Sequence, residues 1–391
     1  MNRLHHGISS PVVLLLASIA GTPASAQCPA NWVLASPGQP TIPADPAIRQ
    51  NSAGAYDSVH HQVVIFGGFL GGFGTYGDTY AWDGTIWSRV ATEGPTARAN
   101  HAMAFDSVRG KVVLFGGNSA ESDTWEWDGT TWTQVFPTTS PPGRFNHAMA
   151  FDSVRHLVVL TGGFSTVRYS DTWEYDGTTW TLRAGTSYGG RNGHGMAFDA
   201  SRNKMVIFGG FNGTRLSDTR EYDAATGNWS QIPGSGPSGR QYCPLTYDNH
   251  QHVITLFGGQ TGPGTVVTDR EQDTWIYNGT WTQVGSSGPS RRDQHITVFD
   301  ELHQTLVVFG GYQGAAFGGD SGETWTTHCA CYANCDGSTA APILNANDFQ
   351  CFLNAFALGD SYANCDQSST PPVLNANDFQ CFLNQFAIGC P

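Results

Sequence analysis

Two consecutive stretches decide the fold: His101-Ala-Met-Ala-Phe-Asp-Ser-Val-Arg-Gly-Lys111-Val-Val-Leu-Phe-Gly-Gly117 and Asp123-Thr-Trp-Glu-Trp-Asp-Gly-Thr-Thr-Trp-Thr-Gln-Val135. His101 to Phe105 reads as a first strand and Lys111 to Phe115 as a second, which Gly116-Gly117 breaks. Asp123 to Trp127 reads as a third strand, turned by Asp128-Gly129 into a fourth from Thr131 to Val135, because Asp-Gly fits the tight turns of hairpins. We call these strands a to d. The unit recurs, with the second glycine at Gly68, Gly117, Gly163, Gly210, Gly259 and Gly311. A repeat near 50 residues carrying four strands predicts the blades of a propeller. Turns of the same kind stand at Asp83-Gly84, Asp176-Gly177 and Asn278-Gly279.

The composition agrees. Only 13% of the 391 residues are charged, against roughly 25% for an average domain, while 48 are Gly, 12 Trp and 22 Phe. Strands favour rings and tight turns favour glycine, so this is an all-β profile that excludes coiled coils and helix bundles. With 19 Lys+Arg against 32 Asp+Glu the chain lacks the positive charge that nucleic acid requires. Arg3, the short apolar run from Val12 to Ala20 and Ala24-Ser25-Ala26 predict a signal peptide over residues 1–26. No other run is long and apolar enough to span a bilayer. Export makes the nine cysteines readable as disulfide candidates.

These residues resemble the kelch family: the double glycines, the strand-c aromatics (Tyr80, Trp125, Trp173, Trp275, Trp325) and the strand-d tryptophans (Trp87, Trp132, Trp180, Trp229, Trp281). The fourth unit departs, with Arg220 at the strand-c aromatic position. The resemblance implies six blades, residues 27–328, around a central channel. The sixth unit lacks a strand-d tryptophan, and Trp32 stands alone near the mature N-terminus. The N-terminal strand is therefore expected to complete the last blade, and a Cys28–Cys329 bridge would staple the closure. Cys243 reads as a buried apolar thiol.

Strand a begins with Arg-x-x-His or a variant, giving an arginine ring of Arg49, Arg98, Arg144, Arg191, Arg240 and Arg292. Two readings of it stand side by side. Guanidiniums near a channel mouth suit the capture of carboxylates, and in some kelch proteins arginines at this place help form the binding face. The same arginines are equally placed to pair with a neighbouring Asp or to cap a turn carbonyl. The histidines (His101, His147, His194, His295) invite a metal reading, but a symmetric ring holds its members apart, and the resemblance implies a hydrogen bond that positions strand a. Variable loops after the double glycines carry Phe73, Tyr76, Arg168, Tyr169, Arg215, Arg270 and Phe317, where recognition usually lives. Kelch proteins also include copper oxidases, whose ligand set Cys243 alone does not supply, and sugar mutarotases, whose acid–base chemistry has Glu93, Glu121, Glu271 and Asp293 to draw on. Nothing in the spacing selects one of these carboxylates.

Beyond Cys329 the composition changes: residues 330–391 hold five Asp and no Lys or Arg, and Tyr332 to Leu358 repeats as Tyr362 to Ile388. Each copy runs from an oxygen-rich loop into an amphipathic helix built on Phe349, Phe352, Leu353 and Phe356, or Phe379, Phe382, Leu383 and Phe386. Asn334, Asp336, Ser338, Asn345 and Asp348, with Asn364, Asp366, Ser368, Asn375 and Asp378, offer the oxygen ligands that calcium takes. The arrangement resembles the duplicated dockerin module of the EF-hand type over residues 329–391. It departs in having 15 positions from Asn334 to Asp348 where an EF-hand loop has 12. That resemblance implies a cohesin-like or cell-surface partner and an attachment or sorting role. Cys335, Cys351, Cys365 and Cys381 pair within or across the copies, and Cys331 with Cys390 would clasp the ends; sequence leaves the connectivity open. The expectation as a whole is an exported propeller that binds a protein or glycan. A carbohydrate-active enzyme and a structural surface component are the alternatives.

Overall fold

The computed structural model describes residues 31–38, 45–183, 188–285, 288–314 and 319–328, with isolated helical positions between 349 and 383. Six four-stranded antiparallel sheets follow one another as blades. Strand a runs Ala53–Asp57, Ala102–Asp106, Ala148–Asp152, Gly195–Asp199, Leu245–Asp248 and Ile296–Asp300 in blades 1 to 6. Strand b runs Gln62–Phe66, Lys111–Phe115, Leu157–Thr161, Lys204–Phe208, Val253–Phe257 and Thr305–Phe309. In the second blade, strands c and d are Thr124–Trp127 and Trp132–Val135, one residue short of each predicted start.

The closure follows the sequence reading. Asn31–Ser36 pairs antiparallel with Thr324–His328, with Trp32 opposite Thr327, so the chain's first described strand is strand d of blade 6. The signal peptide, the Cys28–Cys329 bridge and the calcium and cysteine assignments of the tail lie outside the described residues.

The apolar strand-b runs are explained by packing between blades. Val63 and Ile65 join Ile296, Val298, Val307 and Phe309 of blade 6, while Val64 and Phe66 face Met103, Val112, Leu114 and Trp132 of blade 2. Both faces of each sheet are buried, so both sets of alternating residues must be apolar. Strand-d tryptophans add a directional tie to the preceding blade. Trp87, Trp132, Trp180, Trp229 and Trp281 donate from Nε1 to Thr324, Thr79, Thr124, Thr172 and Thr219 at 2.7–3.0 Å.

The six strand-a arginines are among the largest fully buried side chains of the molecule. Each donates from Nη1 to the carbonyl of its own blade's first glycine, Arg49 to Gly67 at 2.9 Å and Arg144 to Gly162 at 2.9 Å among them. Each also pairs with the carboxylate opening strand c: Asp78, Asp123, Asp171, Asp218, Asp273 and Glu323, at 2.6–2.8 Å. The arginine's own carbonyl accepts the second glycine's N–H from the preceding blade, and Gly311 to Arg49 at 3.0 Å closes the circle. Here the open question about the ring is resolved: the guanidiniums are engaged and out of solvent, so the expected binding face is not made by Arg49, Arg98, Arg144, Arg191, Arg240 or Arg292. Replacing Arg144 by Leu leaves Asp171 without its partner, and breaking a buried pair costs about 3–5 kcal/mol. Urea unfolding of R144L should show a loss of that size; a loss below about 1 kcal/mol would remove this structural role.

Candidate functional site

The residue two positions after each arginine lines the channel: Asn51, Asn100, Asn146, Gly193, Tyr242 and Gln294. All have φ between 52° and 65°, a left-handed conformation that suits Asn and Gly. Their peptides bond from blade to blade around the axis. Asn51 donates to the Gln294 carbonyl at 2.8 Å, Asn100 to Asn51 at 3.0 Å, Asn146 to Asn100 at 2.9 Å, Gly193 to Asn146 at 2.8 Å and Tyr242 to Gly193 at 2.6 Å. This belt divides the channel.

Beneath it the strand-a histidines are wedged between blades. His101 meets Phe66 edge-on at 5.5 Å, His147 meets Phe115 at 5.6 Å and His295 meets Phe257 at 5.4 Å. Their Cε1 atoms lie against the first glycine of the preceding blade: a Cβ at Gly67, Gly116 or Gly258 would come within 3.0–3.2 Å of them. The backbone of Phe66, Phe115 and Phe257 stands near the rings of His101, His147 and His295 and favours their protonated forms, but no ring nitrogen of these three or of His194 reaches a well-aligned partner. They are packing groups. Among the described residues, no group of three or more His, Cys, Asp or Glu is placed to hold a metal ion. Cys243 takes the histidine's place in blade 5, free and buried, its thiol pushed up to about 11 by burial.

Burial, followed by nearby arginine charge, pulls His101 and His194 down to about 3, and His295, by the same two causes, also to about 3. Imidazole ordinarily titrates near 6.5. As pH falls below that value the unfolded chain takes up protons that the folded chain refuses. Stability is therefore whole above pH 6.5 and is lost progressively toward about pH 3, by up to about 1.4 kcal/mol per pH unit per histidine. Denaturant titrations between pH 7 and 4 should show H295F with a shallower acid slope than the parent; parallel slopes would contradict the neutral assignment.

Above the belt the blades cease to be equivalent. In five of the six blades a short bridge joins the residue after the arginine to the residue after the double glycine: Gln50 with Phe69, Phe145 with Phe164, Asn192 with Phe211, Gln241 with Gln260 and Asp293 with Tyr312. In blades 3, 4 and 5 the returning loop brings in Arg168, Arg215 and Arg270 on equivalent bridges to Phe164, Phe211 and Gln260. Arg168 lies 5.4 Å from the Phe164 ring centre and 5.0 Å from that of Phe211, and donates from Nε to Asn192 Oδ1 at 3.0 Å. Arg215 stands over Phe211 at 5.8 Å, and its Nε is buried with no hydrogen-bond partner. Arg270 stacks on Tyr312 at 4.5 Å, its Nε 2.9 Å from Asp293 Oδ2. That contact pairs the charges, and neither Asp293 oxygen has a further hydrogen-bond partner. Burial, at 1% exposure, raises Asp293 to about 7 against the pull of Arg270 and Arg215. A cavity of about 500 Å³ opens beside this cluster, lined by Gln50, Phe69, Asn100, Asn118, Arg270, Gln294 and Tyr312.

Of the other loop residues read from the sequence, Tyr76 and Tyr169 serve the buried ring, stacking at 4.1 Å on Arg49 and 4.0 Å on Arg144. Phe73 is exposed at the tip of a glycine-rich hairpin, and Phe317 lies outside the described residues. Glu271 pairs with Arg291 at 3.0 Å, and Glu93 lies in a separate cleft beside Trp125 and Trp132. Tyr242 and Tyr312 were missed by the reading of the sequence. For Tyr242 the signal was present two positions after the arginines, where the units read Asn, Asn, Asn, Gly, Tyr and Gln.

The fold and the belted channel define a six-bladed kelch-type propeller. The family model described as the KLHDC2/KLHL20/DRC7 Kelch-repeats domain matches residues 37–183 and 178–325, and the chain belongs to that family. No curated protein matches it. It is similar to the solved structure titled "Structure of YjhT", at a TM-score of 0.56 and 16% identity, covering 72% of this chain and 96% of that one. At that identity the likeness shows the fold alone.

Proposed function

We propose that the chain is an exported binding protein that captures a protein or glycan ligand at the channel mouth, meeting an acidic group of it with Arg168 and Arg215. The observation that carries this reading is the imbalance of the cluster: the guanidiniums of Arg270 and Arg215 act on one carboxylate, Asp293, Arg168 beside them meets only a neutral amide, and Arg215 keeps a buried Nε without a hydrogen-bond partner. Buried guanidinium nitrogens are rarely left unmet, so a ligand oxygen completes the site. Phe164, Phe211 and Tyr312 offer ring faces to the ligand's body. In an acidic chain, a positive mouth set in low-dielectric walls also steers anions toward it.

The leader ending at Ala26 supports export, which permits the Cys28–Cys329 staple and the tail's other bridges. The repeated oxygen ligands support a calcium-stabilised attachment or sorting module, docking on a cohesin-like or cell-surface partner. Binding to glycan and peptide arrays should fall at least tenfold in R168A/R215A while R291A binds as the parent; an unchanged pattern sinks the mouth assignment. Calcium should raise the protease resistance of the tail in the full chain, and D348N/D378N should abolish the effect. Cleavage indifferent to calcium would remove the metal reading.

A further inference from the structure

We infer that the mouth binds its anion together with a proton, which Asp293 accepts. This rests on the anion-binding reading above and extends it. Blade 6 alone places a carboxyl at the position after the strand-a arginine, where the other blades have Gln50, Ala99, Phe145, Asn192 and Gln241. The groups facing it are Arg270 from blade 5, Arg215 from blade 4 and the phenol of Tyr242. On its own strand, Arg292 is engaged by Glu323 and the Gly310 carbonyl, and His295 is held neutral.

Asp293 thus holds its charge by its single contact with Arg270 and the proximity of Arg215, with no other hydrogen bond to support the anion. A ligand carboxylate that settles on Arg168 and Arg215 draws on one of the same two guanidiniums. Like charges sharing a site cannot both remain ionised without cost, and the less supported one protonates. Here that is Asp293. The balance is simple: an ionised ligand and one proton from solvent enter, Asp293 becomes the neutral acid, and no bond of the ligand changes. Because burial already raises Asp293 to about 7, the exchange falls in the neutral range. The direction follows from linkage: a site that takes up a proton on binding gains affinity as pH falls, by at most about tenfold per pH unit.

The test uses the full chain and benzoate, a carboxylate on a flat ring that stays ionised across the range used, in cationic buffers that do not compete. Titration calorimetry is run at about pH 6 and about pH 8.5, and at about pH 7.5 in two buffers of different ionisation enthalpy. The expected result is affinity about tenfold higher at the lower pH and uptake of a fraction of a proton at the middle one. In D293N both effects should vanish, with affinity near the parent's low-pH value at every pH. The buffer comparison on the parent stands alone if D293N fails to fold. Equal affinity at both pH values without proton uptake overturns the coupling and leaves the anion site standing. Absence of binding at any pH, in the parent and in D293N alike, overturns the anion reading and the coupling with it.

Discussion

Everything in this propeller depends on the two ends of one residue. The guanidinium of each strand-a arginine is fixed inside its own blade, on the first glycine's carbonyl and the carboxylate of strand c. Its backbone carbonyl meanwhile receives the second glycine's N–H from the blade before. The double glycine is required from both sides. Its backbone has positive φ at both positions, as at Gly116 (68°) and Gly117 (126°), and the imidazole of the next blade lies where a side chain would start. Arginine, glycine pair, carboxylate and histidine are therefore one device, repeated six times and closed on itself by Gly311 and Arg49. Burying a charge without a partner is costly, so a blade that loses one member strands the others.

The blades were legible because their determinants are local. Strand periodicity, Asp-Gly turns and glycine pairs all act within a dozen residues, and even the closing strand could be found, because Trp32 lacks a unit of its own while blade 6 lacks a tryptophan. The arginine's partner was not legible. It lies 25 residues on for Arg98 and 33 for Arg240, across loops whose lengths vary, so no fixed spacing announces the pair. The histidine's packing against the neighbouring blade was hidden for a related reason. What it touches belongs to the preceding unit, and sequence spacing within one repeat does not display a contact between repeats.

The half of the device that faces water follows a different rule. Above the belt of left-handed residues, the loops that return to strand c are free of the packing that holds the blades together, and their residues diverge. Arg168, Arg215 and Arg270 share a position but not a partner: one meets Asn192, one leaves its Nε unmet and one meets Asp293. The same geometry is thus graded across three blades, from a neutral partner through none to an acid. A graded series on a rigid frame creates a local field with a direction, which a sixfold ring of identical groups cannot do.

Repetition in a propeller is therefore evidence against a binding role rather than for one. A side chain present in all six units satisfies a need that all six units have, and in this chain that need is the joint between blades. The six arginines, the most obvious positive charges in the sequence, are for that reason invisible to a ligand. The residues that break the pattern are under no such obligation. Tyr242, standing where the belt elsewhere uses Asn, Gly or Gln, and Asp293, standing where no other blade has an acid, adjoin Arg215, whose Nε is left without a partner. Three departures from the repeat that meet in space at the end of the channel are the arrangement expected when selection for binding acts on a frame already fixed by folding.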